Sequence, residues 1–162
     1  DLARGQAVAQ ELEAADSGKG IVTALELDVA DVSSISVARQ RVSGMIGHLD
    51  CLVNNAGILH EEWSLETCME TLKVNFEGVV EVTTAFLPLL LARPGGGAKV
   101  LTTSSGVGAR TLGLISPDYR AILTAPTLEL ATLRNTLSQI VHELDTDSEH
   151  PYHKIPTVAY GL

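Results

Sequence analysis

Short apolar runs alternate with helical stretches three times along this sequence, and that alternation constrains the fold more than any other feature. The runs are 21–27, 49–53 and 98–103, and their length and apolar, β-branched content are typical of strands. Apolar strands separated by helices favour a parallel sheet that is covered on both faces. The sequence therefore predicts an α/β fold with a doubly wound parallel sheet.

The helical stretches are predicted over residues 2–14, from 31 to about 46, and from about 64 to 92. Pro88 is expected to kink the last of these, and the glycines after Pro94 are expected to end it.

The segment from Gly106 to His150 breaks the alternation and is predicted to hold one helix. Its apolar residues on helical spacing are Leu130, Leu133, Leu137, Ile140, Val141 and Leu144. We interpret this segment as an insertion packed on the domain.

Charge and cysteine content exclude several classes of protein. Eleven basic and twenty acidic residues give a net charge of −9, and so negative a surface repels nucleic acid. No run of eighteen apolar residues is present, so no membrane span is predicted. Cys51 and Cys68 make no disulfide framework and are predicted to be reduced, packed thiols. His142, His150 and His153 fit no closed zinc pattern, so no metal site is predicted.

Polar clusters follow all three predicted strands. They are Asp28-Val29, Asn54-Asn55-Ala56-Gly57 and Ser104-Ser105. Each cluster alone is weak evidence, because turns are rich in Asn, Gly and Ser for backbone reasons. Ligands of doubly wound sheets bind outside the carboxyl ends of the strands, so three successive clusters predict a ligand site at that edge.

Four motifs in order resemble those of the short-chain dehydrogenases/reductases. They are Asn54-Asn55-Ala56-Gly57, Asn75-Phe76-Glu77-Gly78, Ser104-Ser105 and Ala159-Tyr160-Gly161. The resemblance implies a Rossmann-type fold, of which residues 1–162 would be one partial domain. A flavodoxin-like or methyltransferase domain shares the alternation but does not explain these motifs.

Two features resemble the carbonyl reductases of that family. Arg4-Gly5-Gln6 stands near the start, and Ser105 and Tyr160 are 55 positions apart, where those enzymes carry a long insertion. Residues 106–150 would be this insertion. Because the insertion is thought to cover the face by which relatives oligomerise, the resemblance implies a monomeric parent protein. The balance of charged residues is compatible with a cytoplasmic enzyme.

The same resemblance implies NADPH-dependent reduction of quinones, ketones or aldehydes. Tyr160 would be the general acid, Ser105 would hydrogen-bond the substrate carbonyl, and Asn75 would hold a water in the proton path. A phenol titrates near pH 10 in water, and the family lowers this value with a Lys four residues later.

The resemblance also implies the cofactor contacts. The residues implied are Arg4, Asp28, Val29, Asn55, Ala56 and Gly57. Asp28 and Val29 would contact the adenine, and residues 55–57 would bring their backbone close to the nicotinamide-side ribose. Arg4 would pair with the 2′-phosphate, so the preference for NADP over NAD depends on Arg4 alone.

Two family motifs are missing, and we expect the chain to be an interior fragment. No Gly-rich turn follows a first strand, and the catalytic Lys would stand two residues beyond Leu162. In the family's strand order 3-2-1-4-5-6, the run 21–27 would lack a neighbour and is expected to be poorly anchored or paired differently. Residues 98–103 are expected to pair with 49–53. The chain alone is expected to bind NADPH weakly or not at all, without turnover.

Simpler interpretations stay open beside these roles. Asn75 can be a structural Asn, Ser105 a turn residue and Arg4 a solvated helix residue. Trp63, with its neighbours Leu59 and His60, can line a substrate pocket or lie in a surface loop. The alternative function is a catalytically inactive, truncated Rossmann remnant.

Overall fold

The computed structural model describes residues 1–15 and 20–147. The helices are α1 (Leu2–Ala15), α2 (Val32–Met45), α3 (Leu65–Leu72), α4 (Gly78–Leu91), α5 (Gly106–Leu112), α6 (Pro117–Leu123) and α7 (Leu130–Thr146), with a π-helical turn at Lys73–Glu77 and strands β1 (Cys51–Asn54) and β2 (Lys99–Thr102). The chain divides into two compact units, residues 1–52 with 81–99 and residues 53–80 with 100–162.

Strands β1 and β2 pair side by side in a parallel sheet. The Lys99 N–H donates to the Asp50 carbonyl at 2.9 Å, and the Thr103 N–H donates to the Asn54 carbonyl at 2.9 Å. This confirms the predicted pairing of 98–103 with 49–53. The predicted α/β class is confirmed as well, in the form of an incomplete sheet.

The segment 21–27 is the one predicted strand that does not form in the described part of the chain. Its backbone belongs to no ladder, and the Val22 N–H donates instead to the Glu13 carboxylate at 3.0 Å. Ile21 is 91% exposed. A strand needs a neighbour for its N–H and C=O groups, and neither β1 nor β2 pairs with this segment. The strand prediction is therefore wrong, and the expected poor anchoring agrees with the structure.

The first unit has its own core. Helix α2 begins where predicted because the Asp31 carboxylate accepts a hydrogen bond from the Ser33 N–H at 2.8 Å, a standard N-cap. Its buried face packs on α4, and the shared cluster contains Ile35, Ala38, Val82, Phe86 and Leu89. Burying such side chains is the main source of stability for a unit of this kind.

The helical run predicted from about 64 to 92 is confirmed over Leu65–Leu91, but its π-helical turn was not predicted. Ser64 begins the run with a capping box formed with Thr67. Pro88 lies inside α4, and the kink expected there stays a prediction. By length and composition this helix could also cross a membrane. The core helix of a soluble protein passes the same test, so the absence of a membrane span stays a prediction too.

In the second unit, residues 106–147 form three helices instead of the single one predicted. The two short helices were missed because their signals are local. Ser105 and Ser116 each cap a helix start, and Pro117 occupies the first turn of α6. Stretches of seven residues are too short to show helical periodicity.

Helix α7 packs its apolar stripe on two clusters. One contains Cys68, Leu72, Leu137 and Val141, and the other contains Ile115, Ile140 and Leu144. Leu130 is 40% exposed, so its place in the buried stripe was predicted wrongly.

The two cysteines differ. Cys68 is buried, as predicted for a packed thiol, and burial raises the pKa of this thiol to about 11. Cys51 is free but exposed, which contradicts the prediction of a packed thiol. Val53, which lies on the same face of β1, is exposed as well, so this face is uncovered within the described residues.

Candidate functional site

A cleft of about 240 Å³ opens in the second unit at the carboxyl ends of the two strands. Five of the predicted site residues line it, namely Asn55, Ala56, Gly57, Asn75 and Ser105. The cleft is completed by Thr71, Leu72, Phe76, Val79, Thr102, Thr103, Ser104 and Gly108. The strand-end clusters 54–57 and 104–105 thus meet in one place, as expected for this edge of a parallel sheet.

The two strand ends are tied together by side-chain and backbone bonds. The Thr103 hydroxyl donates to the Asn55 side-chain oxygen at 2.9 Å, one residue beyond the last ladder bond to Asn54. Asn55 is exposed, whereas Asn54 is buried. The bond fixes the direction in which residues 55–57 leave β1.

Asn75 lies in the π-helical turn and clamps the loop after β1. Its Nδ2 donates to the Ile58 carbonyl at 2.8 Å, and its Oδ1 accepts from the Ile58 N–H at 2.8 Å. Such a pair satisfies both backbone groups of one residue, much as a neighbouring strand does. Single π-helical turns interrupt α-helices often at functional sites. Here the turn carries the side chain that anchors the cofactor-side loop predicted from the sequence.

Gly57 lies directly against Asn75. A Cβ atom placed on Gly57 would come 3.4 Å from the Asn75 Oδ1, the oxygen that receives the Ile58 N–H. A larger side chain would crowd this bond, and the bare backbone of residues 56–57 is exposed to the cleft. Glycine is the residue type that lets a ligand approach the backbone closely.

Ser105 has a second task besides lining the cleft. Its Oγ accepts a hydrogen bond from the Val107 N–H at 3.2 Å and so caps α5. A hydroxyl has one donor hydrogen and two acceptor lone pairs, so this cap leaves the O–H able to donate. The side chain is half-buried, and the cap restricts its rotamer. Such a hydroxyl can donate to a carbonyl oxygen held in the cleft.

The remaining predicted residues lie elsewhere. Arg4 is an exposed residue of α1 in the first unit. The Asp28 carboxylate accepts the Ala30 N–H at 2.9 Å in a local turn, and Val29 packs on the first unit's core. Tyr160 lies outside the described residues. Nothing in the described chain therefore tests the roles of these four residues.

Sequence reasoning missed two residues that shape the cleft. Thr103 holds Asn55, and Ile58 receives the Asn75 clamp. The only signal for either was its position next to a recognised motif.

Trp63 does not line the cleft and packs instead on the clusters around α7, while Leu59 is 51% exposed. His60 approaches the Glu70 carboxylate at 3.2 Å.

No group of three metal-ligating side chains occurs among residues 1–15 and 20–147. The cleft itself is lined by neutral side chains and backbone. An acid or base for proton transfer is therefore absent from its described walls. Any such group has to come from another part of the protein or from the solvent.

Comparison with known proteins gives a consistent result. Residues 1–121 match the family described as short chain dehydrogenase. Carbonyl reductase (NADPH) 1 of Pongo abelii is 32% identical over 168 aligned residues, which cover 100% of this chain and 57% of that protein. The chain thus spans little more than half of the length of this relative.

Solved structures agree on the fold. Menthone neomenthol reductase from Mentha piperita matches with a TM-score of 0.83 at 20% identity, covering 99% of this chain and 69% of that one. An alcohol dehydrogenase from the archaeon Thermococcus sibiricus, complexed with 5-hydroxy-NADP, is 34% identical with a TM-score of 0.56. That match covers 65% of this chain and 44% of the dehydrogenase.

Proposed function

Because the chain belongs to the short-chain dehydrogenase family, we propose that the complete protein reduces carbonyl compounds with NADPH. The observation that carries this proposal is the convergence of residues 55–57, Asn75 and Ser105 on one cleft at the ends of two parallel strands. Quinones, ketones and aldehydes are the proposed substrates. The carbonyl reductase relative supports the class of reaction.

The walls of the cleft fit the nicotinamide half of the cofactor. Residues 55–57 offer exposed backbone, and Gly57 has no side chain to obstruct a planar ring. When bound, NADPH would supply the hydride that reduces the carbonyl carbon. Residues 55–57 would bind and orient this half, and the bond from Thr103 to Asn55 would hold the loop in place before binding.

Ser105 would orient the substrate by donating its hydroxyl hydrogen to the carbonyl oxygen. This bond strengthens as negative charge develops on that oxygen, so it favours the transition state over the ground state. Tyr160 would then donate the proton that converts the oxyanion to an alcohol. The hydrogen bond from the Val107 N–H to the Ser105 Oγ would keep the hydroxyl oriented toward the substrate carbonyl.

Asn75 would contribute by fixing the loop after β1. Asn75 is also proposed to hold a water in the proton path, since its Nδ2 keeps a second hydrogen and its Oδ1 a second lone pair beyond the two bonds to Ile58. Removing the amide would loosen the backbone that faces the cofactor. We therefore expect the Asn75 side chain to affect cofactor affinity at least as strongly as the chemical step.

Asp28 and Val29 are proposed to contact the adenine and Arg4 to pair with the 2′-phosphate. Arg4 is exposed, which leaves its guanidinium accessible to a phosphate. A preference for NADPH over NADH of the complete protein that disappears in Arg4→Ala would support this assignment, and an unchanged preference would overturn it.

The remaining proposals concern the protein as a whole. We propose that residues 1–162 form one partial Rossmann domain with 106–150 as an insertion, and that the complete protein is a cytoplasmic monomer. Its partners are small carbonyl compounds, without nucleic acid or membrane. The net charge of −9 supports the exclusion of nucleic acid.

Two helix-capping serines make a matched test of the reaction. Ser105 and Ser116 each accept a backbone N–H at 3.2 Å, at the starts of α5 and α6, but Ser116 does not line the cleft. Replacing either with Ala removes one cap, worth about 1 kcal/mol. In the complete protein, Ser105→Ala should lower kcat for NADPH-dependent reduction of 4-nitrobenzaldehyde by about 100-fold, the loss typical for one oxyanion-stabilising donor.

The control, Ser116→Ala, should retain the activity. Equal losses in both variants would mean that Ser105 acts only as a cap.

Tyr160→Phe should abolish most turnover, whereas Tyr119→Phe should not, because the Tyr119 hydroxyl donates to Glu143 on α7 and does not line the cleft. A complete protein that reduces none of the three carbonyl classes would instead support the inactive remnant.

A further inference from the structure

The insertion helix α7 holds the π-helical turn through a two-pronged ion pair. The Arg134 Nε lies 2.8 Å from one oxygen of the Glu77 carboxylate, and its Nη2 lies 2.5 Å from the other. Both side chains are more than one third but less than one half exposed. A paired guanidinium and carboxylate of this geometry fix direction as well as distance. The bonds to Arg134 also hold the pKa of Glu77 below its usual value.

Glu77 is the last residue of the π-helical turn, and the residue before it reinforces the same contact. Phe76 packs on the buried cluster that α7 provides with Leu137 and Val141. It also lines the cleft, as does Leu72 one turn earlier. Two consecutive residues of the turn, Phe76 and Glu77, therefore contact α7.

Asn75 precedes them and faces a different neighbour, the backbone of Ile58. The π-helical turn is thus held on one side by α7 and on the other by the loop after β1. A π-helical turn is rare because its hydrogen-bond geometry is less favourable than that of an α-helix, so it needs such contacts to persist. If the turn relaxed, Asn75 would rotate away from Ile58.

We propose that Arg134 is a positioning residue for the cleft. It acts through Glu77 to fix the π-helical turn, so that Asn75 clamps Ile58 and holds residues 55–57 in the shape that receives the cofactor. The inference rests on the proposed function for its effect on catalysis. Its structural half, the link between Arg134 and Ile58, can be measured without any turnover.

The test compares two arginine variants of the complete protein. Arg134→Ala removes the ion pair to the π-helical turn. Arg93→Ala removes a comparable exposed ion pair, in which the Arg93 Nε lies 2.6 Å from the Asp50 carboxylate in the first unit. The two amides to follow by NMR hydrogen exchange are those of Ile58 and Leu49, the latter bonded to the Leu89 carbonyl at 3.0 Å.

We expect Arg134→Ala to speed exchange at Ile58 by about fivefold, the upper range for an exposed ion pair, and to leave Leu49 unchanged. The KM for NADPH should rise by a similar factor while the melting transition stays cooperative. Arg93→Ala should change neither the Ile58 exchange nor the KM. Exchange that rises equally at both amides in Arg134→Ala would show a merely structural role and overturn the proposal.

Two further variants keep the test decisive. Glu77→Gln removes only the carboxylate charge and should shift Ile58 exchange in the same direction, even if Arg134→Ala fails to fold. Exchanging the charges in Glu77→Arg with Arg134→Glu should restore protection at Ile58 relative to either single change. No effect of Glu77→Gln, together with no restoration in the exchanged pair, would contradict the link.

The failures of the two proposals can be told apart. A complete protein without NADPH-dependent turnover but with faster Ile58 exchange in Arg134→Ala would overturn the proposed function and support the positioning link. A protein with turnover, but with Ile58 exchange and KM unchanged in Arg134→Ala, would overturn the link and leave the proposed function in place.

Discussion

The segment 21–27 and strand β1 are both short apolar runs, yet the first lacks a ladder and the second lies in a sheet. After β1, the Thr103 hydroxyl donates to Asn55 and the Asn75 amide donates to the Ile58 carbonyl. After 21–27, the Asp28 carboxylate accepts the N–H of Ala30 in a local turn. The comparison teaches that a polar strand end becomes a shaped site only when other elements hold it. Apolar composition alone does not supply that support.

Burial should separate the two regions most strongly. Leu137 is 2% exposed in the cluster that supports the cleft walls Leu72 and Phe76, whereas Ile21 is 91% exposed. Leu137→Ala should lower the free energy of unfolding by about 2–5 kcal/mol, because it leaves a cavity in a packed cluster. Ile21→Ala should change it by less than about 0.5 kcal/mol. Urea unfolding of both variants measures the difference, and equal losses would show that segment 21–27 is buried after all.

Backbone hydrogen bonding should give the next largest contrast. Lys99→Pro removes the N–H that donates to the Asp50 carbonyl in the ladder, and should cost about 2 kcal/mol or more. Thr23→Pro, in segment 21–27, removes no ladder bond and should leave the stability almost unchanged. Thermal unfolding compares the two variants. A large loss for Thr23→Pro would reveal a hidden partner for the segment.

How far the sequence allows such a contrast to be predicted depends on the range of the interaction. Helix starts such as Asp31 were predicted correctly because caps are local signals. The pairing of β1 with β2 was predicted correctly from the family's strand order. The cleft was anticipated through its motif residues Asn55 and Ser105. The hydroxyl bond from Thr103 to Asn55 was not, because it joins residues 48 positions apart that no local pattern connects.

The π-helical turn was missed for a related reason. Its sequence, Lys73–Glu77, contains neither proline nor glycine that would mark an interruption of the helix. One extra residue in the turn is tolerated because contacts from Arg134 and Ile58 hold it, and those contacts come from distant parts of the chain. The strand predicted at 21–27 failed in the opposite way, since its apolar pattern is typical of a strand but no strand among the described residues pairs with it.

A single hydroxyl should give a smaller difference between the same two regions. Thr103→Val removes the O–H that donates to Asn55, and should cost about 0.5–1 kcal/mol, the net value of one hydrogen bond. Thr23→Val, in segment 21–27, is the control and should leave the free energy of unfolding unchanged. Chemical denaturation gives both values, and identical results would mean that the bond to Asn55 does not hold the loop.

The pH dependence of the Glu77 ion pair should be the smallest effect. Arg134 lowers the pKa of Glu77 from its ordinary value of 4.5, so the stabilisation is present above that pH and is lost as pH falls through the lowered pKa. Because the pair is partly exposed, the loss should stay below about 0.5 kcal/mol. Unfolding at pH 7 and pH 3 should show a smaller pH effect in Glu77→Gln than in the native protein. The same effect in both would exclude a contribution from this pair.

Isotope transfer shows whether a hydride passes from NADPH to a carbonyl compound on this protein. The complete protein would be incubated with 4-nitrobenzaldehyde and NADPH that carries deuterium at both C4 positions of the nicotinamide, and the product alcohol analysed by mass spectrometry. We predict deuterium on the alcohol carbon, formed much more slowly by Ser105→Ala than by Ser116→Ala. An alcohol without deuterium, or no alcohol under conditions in which the protein is folded, would contradict the account.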